Sequence, residues 1–244
     1  MSTTTPKTLE IRTSPHIASG QSTDVIMRNV VVAAAPVAAF AVYSYGTTAL
    51  LLLLVATFSC VLTEHLFCRF TGRESTIGDW SAAVTGILYG LTLPPGLPLW
   101  MTAIGGFFAI ALGKLLFGGL GYNVFNPALV GRAVLQGAFP VAMTSWSSPF
   151  APERFGSVLS SSFTFPFADP VFDAVAGATP LAAMKFDNQA TAVSDMALGF
   201  IGGSTGETSA LLILLGGVYL AARNMMNWRI PAVIFLTIVA LSGG

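Results

Sequence analysis

Charge is what this chain has least of. Only 9% of its 244 residues are Asp, Glu, Lys or Arg, against about 25% in soluble domains. With 54% hydrophobic residues, a globular domain of this length would have no charged surface to present to water. Positive excess is missing too, since the formal net charge is zero, which removes the basic field expected of a nucleic-acid binder. Metal and disulfide chemistry are poorly provided for. There are two cysteines and two histidines. Cys60 and Cys68 would lie on roughly one helix face but about two turns apart, too far for a disulfide. Neither sits in a zinc or iron–sulfur spacing, and both read as small buried residues. Met1 to Asp24 is polar and mixed, without the basic-then-apolar pattern and small-residue site of a cleaved targeting peptide.

What is present is a series of long apolar runs. A membrane-spanning helix needs about 20 mostly apolar residues. Asn29–Tyr45, with Pro36 as an expected kink, and Thr47–Phe67 are the first two candidates. Trp80–Leu93 is short and ends at Pro94-Pro95. Pro98–Phe117 is full length, and Val124–Val141 carries Pro127 near its start. Ser209–Ala222 is a sixth segment and Ile230–Leu241 begins a seventh. The short Trp80–Leu93 and the Asn126-Pro127 break suit half-helices whose freed backbone groups face a cavity or ligand. A kinked helix in a plain bundle suits them equally. Ala142–Asp195 is too polar to span, and loops this long are usually functional or disordered.

The predicted fold is an all-α integral membrane protein, a polytopic helical bundle. Its organisation reads as an N-terminal segment over 1–28, a first transmembrane repeat over 29–141, a loop over 142–208, and the start of a second transmembrane repeat over 209–244. Ile230–Leu241 is shorter than a span, so that second repeat is expected to be unfinished in this chain. Lys7, Arg12 and Arg28 precede the first segment, Arg69 and Arg73 follow the second, Lys114 ends the fourth, and Arg223 and Arg229 follow the sixth. The positive-inside rule then puts the N-terminus in the cytoplasm and the 142–208 loop outside it.

Inside that loop lies Asp173-Ala174-Val175-Ala176-Gly177-Ala178-Thr179-Pro180-Leu181. Elsewhere come Ser14-Pro15-His16, Ser75-Thr76-Ile77-Gly78-Asp79, Thr92-Leu93-Pro94-Pro95, Asn126-Pro127-Ala128-Leu129-Val130-Gly131-Arg132 and Gly206-Glu207-Thr208-Ser209. In this order, across nearly the whole chain, these blocks resemble those of the NqrB/RnfD family. The acid followed by Gly-Ala-Thr resembles the motif read by that family's FMN transferase. The chain departs from it at Ala176, where the family usually has Ser or Thr.

The resemblance implies a flavin-carrying membrane subunit of an Rnf-type complex, coupling electron transfer between ferredoxin and NAD to Na⁺ or H⁺ translocation. The chain would be part of an oxidoreductase and translocase without being catalytic alone. It implies FMN joined through a phosphodiester to Thr179, with Asp173, Gly177 and Ala178 completing the motif. It also implies a transporter-like fold of inverted repeats in the bacterial inner membrane. The implied partners are the membrane pair holding an iron–sulfur cluster, the flavin-bearing G subunit, the B and C subunits, and the FMN transferase. An NqrB-like component of the sodium-pumping NADH:quinone reductase is the near alternative. Such proteins typically carry a longer N-terminal extension than the two dozen or so residues before the first apolar run of this chain. A non-redox channel or transporter is the more distant alternative. The chemistry suits the residue types: threonine offers a hydroxyl for a phosphate ester, Gly177 and Ala178 leave the approach open, and the flavin brings the redox capacity.

Other polar residues carry weaker expectations. Glu64 and His65 are expected at a membrane interface, near the end of their helix. Arg132 lies deeper, suited to a flavin phosphate, an acidic neighbour or carbonyls at the helix break. Asp79 and Asn126 are expected as N-caps. The same positions are candidates for lining a second, noncovalent flavin site (riboflavin or FMN) or an ion path.

Overall fold

The computed structural model describes residues 22–72, 76–166, 168, 179–188, 190–207 and 209–242. The described residues are helices and connecting turns. Helix α1, Thr23–Tyr45, begins ahead of the apolar run from which it was predicted. Hydropathy stops at Asp24 and Arg28, but a helix can carry charges into the interface. There Asp24 sits in the first turn, where an acid suits the helix N-terminus. Pro36 lies inside the helix, as expected. Helix α2 (Thr47–Thr71) follows after a single residue, Gly46. Its φ of 68° lets the chain reverse, and its N–H bonds Val42 O at 2.7 Å. Helix α2 ends on Gly72 in the left-handed conformation, whose N–H returns to Cys68 O. These two helices are long and apolar enough to cross a membrane; Ser81–Leu91, Leu99–Leu115, Ala210–Ala222 and Arg229–Leu241 are apolar but shorter.

Helix α3 (Ser81–Leu91) has 11 residues. That is roughly 16 Å of helix at 1.5 Å per residue, about half of the hydrocarbon layer. Beyond it the chain stays non-helical and buried from Leu93 to Pro98. Helix α4 (Leu99–Ile110) then runs back, continuing as a π turn over Ala111–Leu115. Helix α5 (Pro127–Ala138) starts at Pro127, and Phe139 separates it from the short α6 (Pro140–Met143). The expected Val124–Val141 segment is therefore broken where Pro140 cannot supply an N–H. Helices α7 (Pro180–Phe186) and α8 (Val193–Leu198) punctuate the long polar segment, followed by α9 (Ala210–Ala222) and α10 (Arg229–Ser242).

The core is built by α2, α3, α4 and α5, through Leu52, Ala56, Cys60, Tyr89, Met101, Ile110 and Leu135. Small residues let the helices close on one another. A Cβ on Gly86 would lie 2.5 Å from Thr57 Cα, and one on Gly131 would lie 2.7 Å from Gly105 O. Such contacts are how helices associate where lipid offers no hydrophobic gain. Tyr89 is fully buried and donates to Thr102 O at 3.0 Å. Cys60 and Cys68 are both buried and free, as expected.

Alternation of helix direction creates two rims. One holds Gly46, the Pro94–Leu97 turn, residues 145–163 and residues 203–207. We call it the loop rim. Here the freed carbonyls at the end of α3 find donors in distant sequence. Thr205 N–H and Oγ1 both reach Leu93 O, at 2.9 and 2.7 Å, and Gly206 N–H reaches Leu91 O at 2.7 Å. Ser161 Oγ donates to Gly96 O at 2.8 Å. Irregular backbone after α3 is thus enclosed by protein and satisfied by it. The opposite, basic rim carries Arg28, Arg69, Lys114, Arg223 and Arg229. There Tyr219 Oη and Asn29 Oδ1 join α9 to α1 at 2.6 Å.

Candidate functional site

Two places gather the residues singled out from the sequence. The first is the attachment segment. Thr179 occupies the N-cap position of α7 with an extended backbone (ψ 153°), and its Oγ1 accepts from Ala182 N–H at 3.3 Å. Pro180 follows at the first helical position, where its missing N–H costs nothing. The hydroxyl is half-buried, and its own hydrogen has no acceptor among the described residues. A threonine so placed has its oxygen fixed by the backbone and its O–H available for esterification. Asp173, Gly177 and Ala178 lie outside the described residues.

The second place is a polar cluster at the basic rim. Glu64 is wholly buried and forms an ion pair with Lys114, Nζ to Oε1, at 2.6 Å. This corrects the expectation of an interfacial Glu64. The π turn at the end of α4 swings Lys114 inward, and the two charges are taken up by each other instead of by water. Thr76 Oγ1 donates to the same Glu64 oxygen, and Lys114 Nζ also donates to Ser81 Oγ. The second carboxylate oxygen, Oε2, is buried with no hydrogen-bond partner among the described residues. Asp79 accepts from Ser81 N–H at 2.8 Å and from Ser81 Oγ, so it closes the start of α3 from one residue before the cap position. Asn126 caps α5 as expected, Oδ1 accepting from Ala128 N–H at 3.0 Å. His65 is exposed.

Beside this cluster lies a cavity of 360 Å³, lined by Ser81, Thr85, Lys114, Asn123 and Asn126 among others. Asn126 and, through Ser81, Asp79 thus meet at one site. Arg132 does not join them: it is half-buried on α5, away from the cavity lining, and no hydrogen bond or ion pair holds it among the described residues. Lys114 reads from the sequence only as a topology marker, and its inward course was missed. Its place directly after the apolar residues of Leu99–Gly113 was the available signal that it enters the protein.

Comparison with known proteins agrees with the family resemblance. The chain is 39% identical to the D subunit of the proton-translocating ferredoxin:NAD(+) oxidoreductase complex of Clostridium ljungdahlii, covering 95% of this chain and 68% of that protein. It is 42% identical to the D subunit of the ion-translocating oxidoreductase complex of Halorhodospira halophila, over 96% and 70%. It is 39% identical to the D subunit of the Na(+)-translocating ferredoxin:NAD(+) oxidoreductase complex of Acetobacterium woodii, over 94% and 67%. The chain spans about two-thirds of the length of these relatives. With a match to the family model over residues 10–243 and an all-helical, strongly apolar architecture, this polytopic membrane protein belongs to the NQR2, RnfD, RnfE family.

Proposed function

We propose that this chain is the flavin-carrying membrane subunit of an Rnf-type ion-translocating oxidoreductase, working between ferredoxin and NAD and moving Na⁺ or H⁺. Both ions are represented among the complexes of its relatives, one named proton-translocating and one Na(+)-translocating. The observation that carries the flavin assignment is Thr179: a fixed oxygen whose O–H has no acceptor among the described residues, at the N-cap of a proline-started helix. FMN would be held there through its phosphate and would supply the capacity to accept and release electrons. The protein's part is to hold the oxygen and keep the site clear. The flavin-bearing G subunit, the membrane pair with an iron–sulfur cluster and the B and C subunits are the proposed partners, and a separate FMN transferase makes the bond.

The orientation follows the charges. Arg28, Arg69, Lys114, Arg223 and Arg229 share a rim, and lysine and arginine favour the cytoplasmic face. The N-terminus is then cytoplasmic in a bacterial inner membrane, and the segment carrying Thr179 is extracytoplasmic, where the transferase works.

A second, noncovalent flavin (riboflavin or FMN) is proposed for the 360 Å³ cavity at the basic rim. That volume falls within the usual range for small-molecule sites, about 300–1,000 Å³. Asn123, Asn126, Ser81 and Lys114 offer the amide, hydroxyl and ammonium groups that a flavin's pyrimidine edge requires.

The deciding experiment is in-gel flavin fluorescence after full denaturation, with the protein and Thr179→Ala each expressed beside the transferase. A fluorescent band present in the first and lost in the second is the expected result. No band in either, with the transferase active on another substrate, removes the covalent flavin and leaves a non-redox transporter subunit as the reading.

A further inference from the structure

Lys114 stands between a buried carboxylate and an open space. It lines the 360 Å³ cavity at the basic rim together with Ser81, whereas Glu64 is fully buried and is not among the lining residues. An ammonium has three donors and no acceptor. One N–H of Lys114 goes to Glu64 Oε1 at 2.6 Å and another to Ser81 Oγ. The remaining N–H has no acceptor among the described residues. Ser81 gives its own hydrogen to Asp79 Oδ1, so it meets the lysine with a lone pair. The lysine is thereby held by one carboxylate directly and by a second through a hydroxyl.

Both sides of this arrangement are fixed by packing. The π turn Ala111–Leu115 carries Lys114, and Leu116 N–H closes it on Ala111 O at 3.0 Å. Single π turns recur at functional sites. A Cβ on the adjacent Gly113 would lie 2.6 Å from Pro127 Cα, so the turn presses against the start of α5. Asn126 and Pro127 there are walls of the same cavity. On the far side, Glu64 Oε2 is buried with no donor among the described residues, and Thr76 Oγ1 bonds only Oε1. The charge of the carboxylate is therefore met chiefly by Lys114. In such a low-dielectric place the pair acts on a neighbouring ligand far more strongly than it would in water.

We infer that Lys114 is the contact through which the basic-rim cavity senses negative charge on its ligand, and that Glu64 is the positioning residue that sets how much of the ammonium's charge the ligand feels. The inference rests on the second, noncovalent flavin proposed above. It adds a division of labour within the site. Lys114 and Ser81 face the ligand, while Glu64 and Asp79 stand behind them and act through them. Reduction of a flavin ring by two electrons with uptake of one proton leaves an anion, and a nearby ammonium favours that form. A carboxylate behind the ammonium offsets part of its field. Because Lys114 is nearer the cavity than Glu64, the net preference is for the reduced ring.

The test uses the full protein with Thr179→Ala, so that no tethered flavin contributes, and riboflavin as the probe. Binding of oxidised riboflavin is read from fluorescence quenching. The ratio of affinities for reduced and oxidised forms is read from a dithionite titration of bound against free riboflavin, at mildly alkaline pH. Glu64→Gln frees the ammonium and should raise this ratio several-fold above wild type. Glu64→Gln combined with Lys114→Met removes both charges, which can be near neutral for folding, and should lower the ratio several-fold below wild type. Opposite shifts are the signature of tuning, since a strut would weaken both forms by the same factor. An unchanged ratio in the folded double variant overturns the inference and leaves the second flavin intact. So does equal weakening of both forms. A wild-type cavity that binds no riboflavin overturns the second flavin and this inference with it. Thermal melts score folding in each variant, and if Glu64→Gln does not fold, the ratio in the double variant still decides.

Discussion

Lys114 Nζ and Glu64 Oε1 stand 2.6 Å apart in a place where neither side chain touches solvent appreciably. They come from α2 and from the π turn that continues α4, and they hold those helices together at the basic rim. Breaking a buried pair by removing one partner leaves an uncompensated charge and costs about 3–5 kcal/mol, while removing both can be near neutral. Lys114→Met should therefore lower thermal stability in detergent markedly, and the double variant Glu64→Gln, Lys114→Met should recover most of the loss. If the double variant is as unstable as the single one, the pair is not what holds these helix ends.

Gly46 gives a sharper steric prediction. Its φ is 68°, and a Cβ there would press on the Arg154 carbonyl. Gly72 has a similar φ of 65° but open space around it. Gly46→Ala should therefore cost clearly more than Gly72→Ala, because Gly46 combines the collision with a ψ of −144°, outside the left-handed helical region, whereas Gly72 at ψ 18° risks only that left-handed conformation, about 1 kcal/mol. Thermal melts of the two variants side by side measure the difference, and equal losses would show that both the backbone at residue 46 and the 150–161 segment yield to the methyl group.

Much of this architecture was legible in the chain. The apolar runs marked the helices because a lipid-facing helix is apolar on most sides. Pro94-Pro95 marked the short α3 because proline cannot continue it. Asn126 was legible as a cap because its side chain acts on its own neighbour two residues on. The pairing of Glu64 with Lys114 was not legible. Each residue lies near a helix end, where sequence favours exposure. Only the π turn, a packing outcome, points Lys114 inward. The enclosure of Leu91 and Leu93 by Thr205 and Gly206 was equally hidden, since it depends on carbonyl groups that every residue possesses.

Asn126 carries two roles that can be separated. As the cap of α5 its loss to alanine should cost about 1 kcal/mol. As a wall of the basic-rim cavity its loss should lower the content of flavin released on denaturation. Asn126→Asp retains the capping oxygen but replaces the amide donor with a charge. It should keep stability and still lose the released flavin, measured by absorbance of the acid-precipitated supernatant. Unchanged flavin content in both variants would sever Asn126 from any ligand.

Thr179 separates attachment from folding in the same way. Its Oγ1 makes one 3.3 Å contact to Ala182 N–H, and α7 has no buried residues. Removing the cap at such a helix should cost no more than about 1 kcal/mol. Thr179→Ala should then melt close to wild type when neither carries flavin, so the loss of its fluorescent band would report chemistry and not collapse. Thr179→Ser keeps both the cap and a hydroxyl. If the oxygen is the attachment point it should retain the band, although the transferase sets how fully. Thr179→Asn keeps a capping side chain but has no esterifiable oxygen, so it should fold normally and show no band. A fluorescent band in Thr179→Asn would move the attachment to another residue and take the tether away from α7.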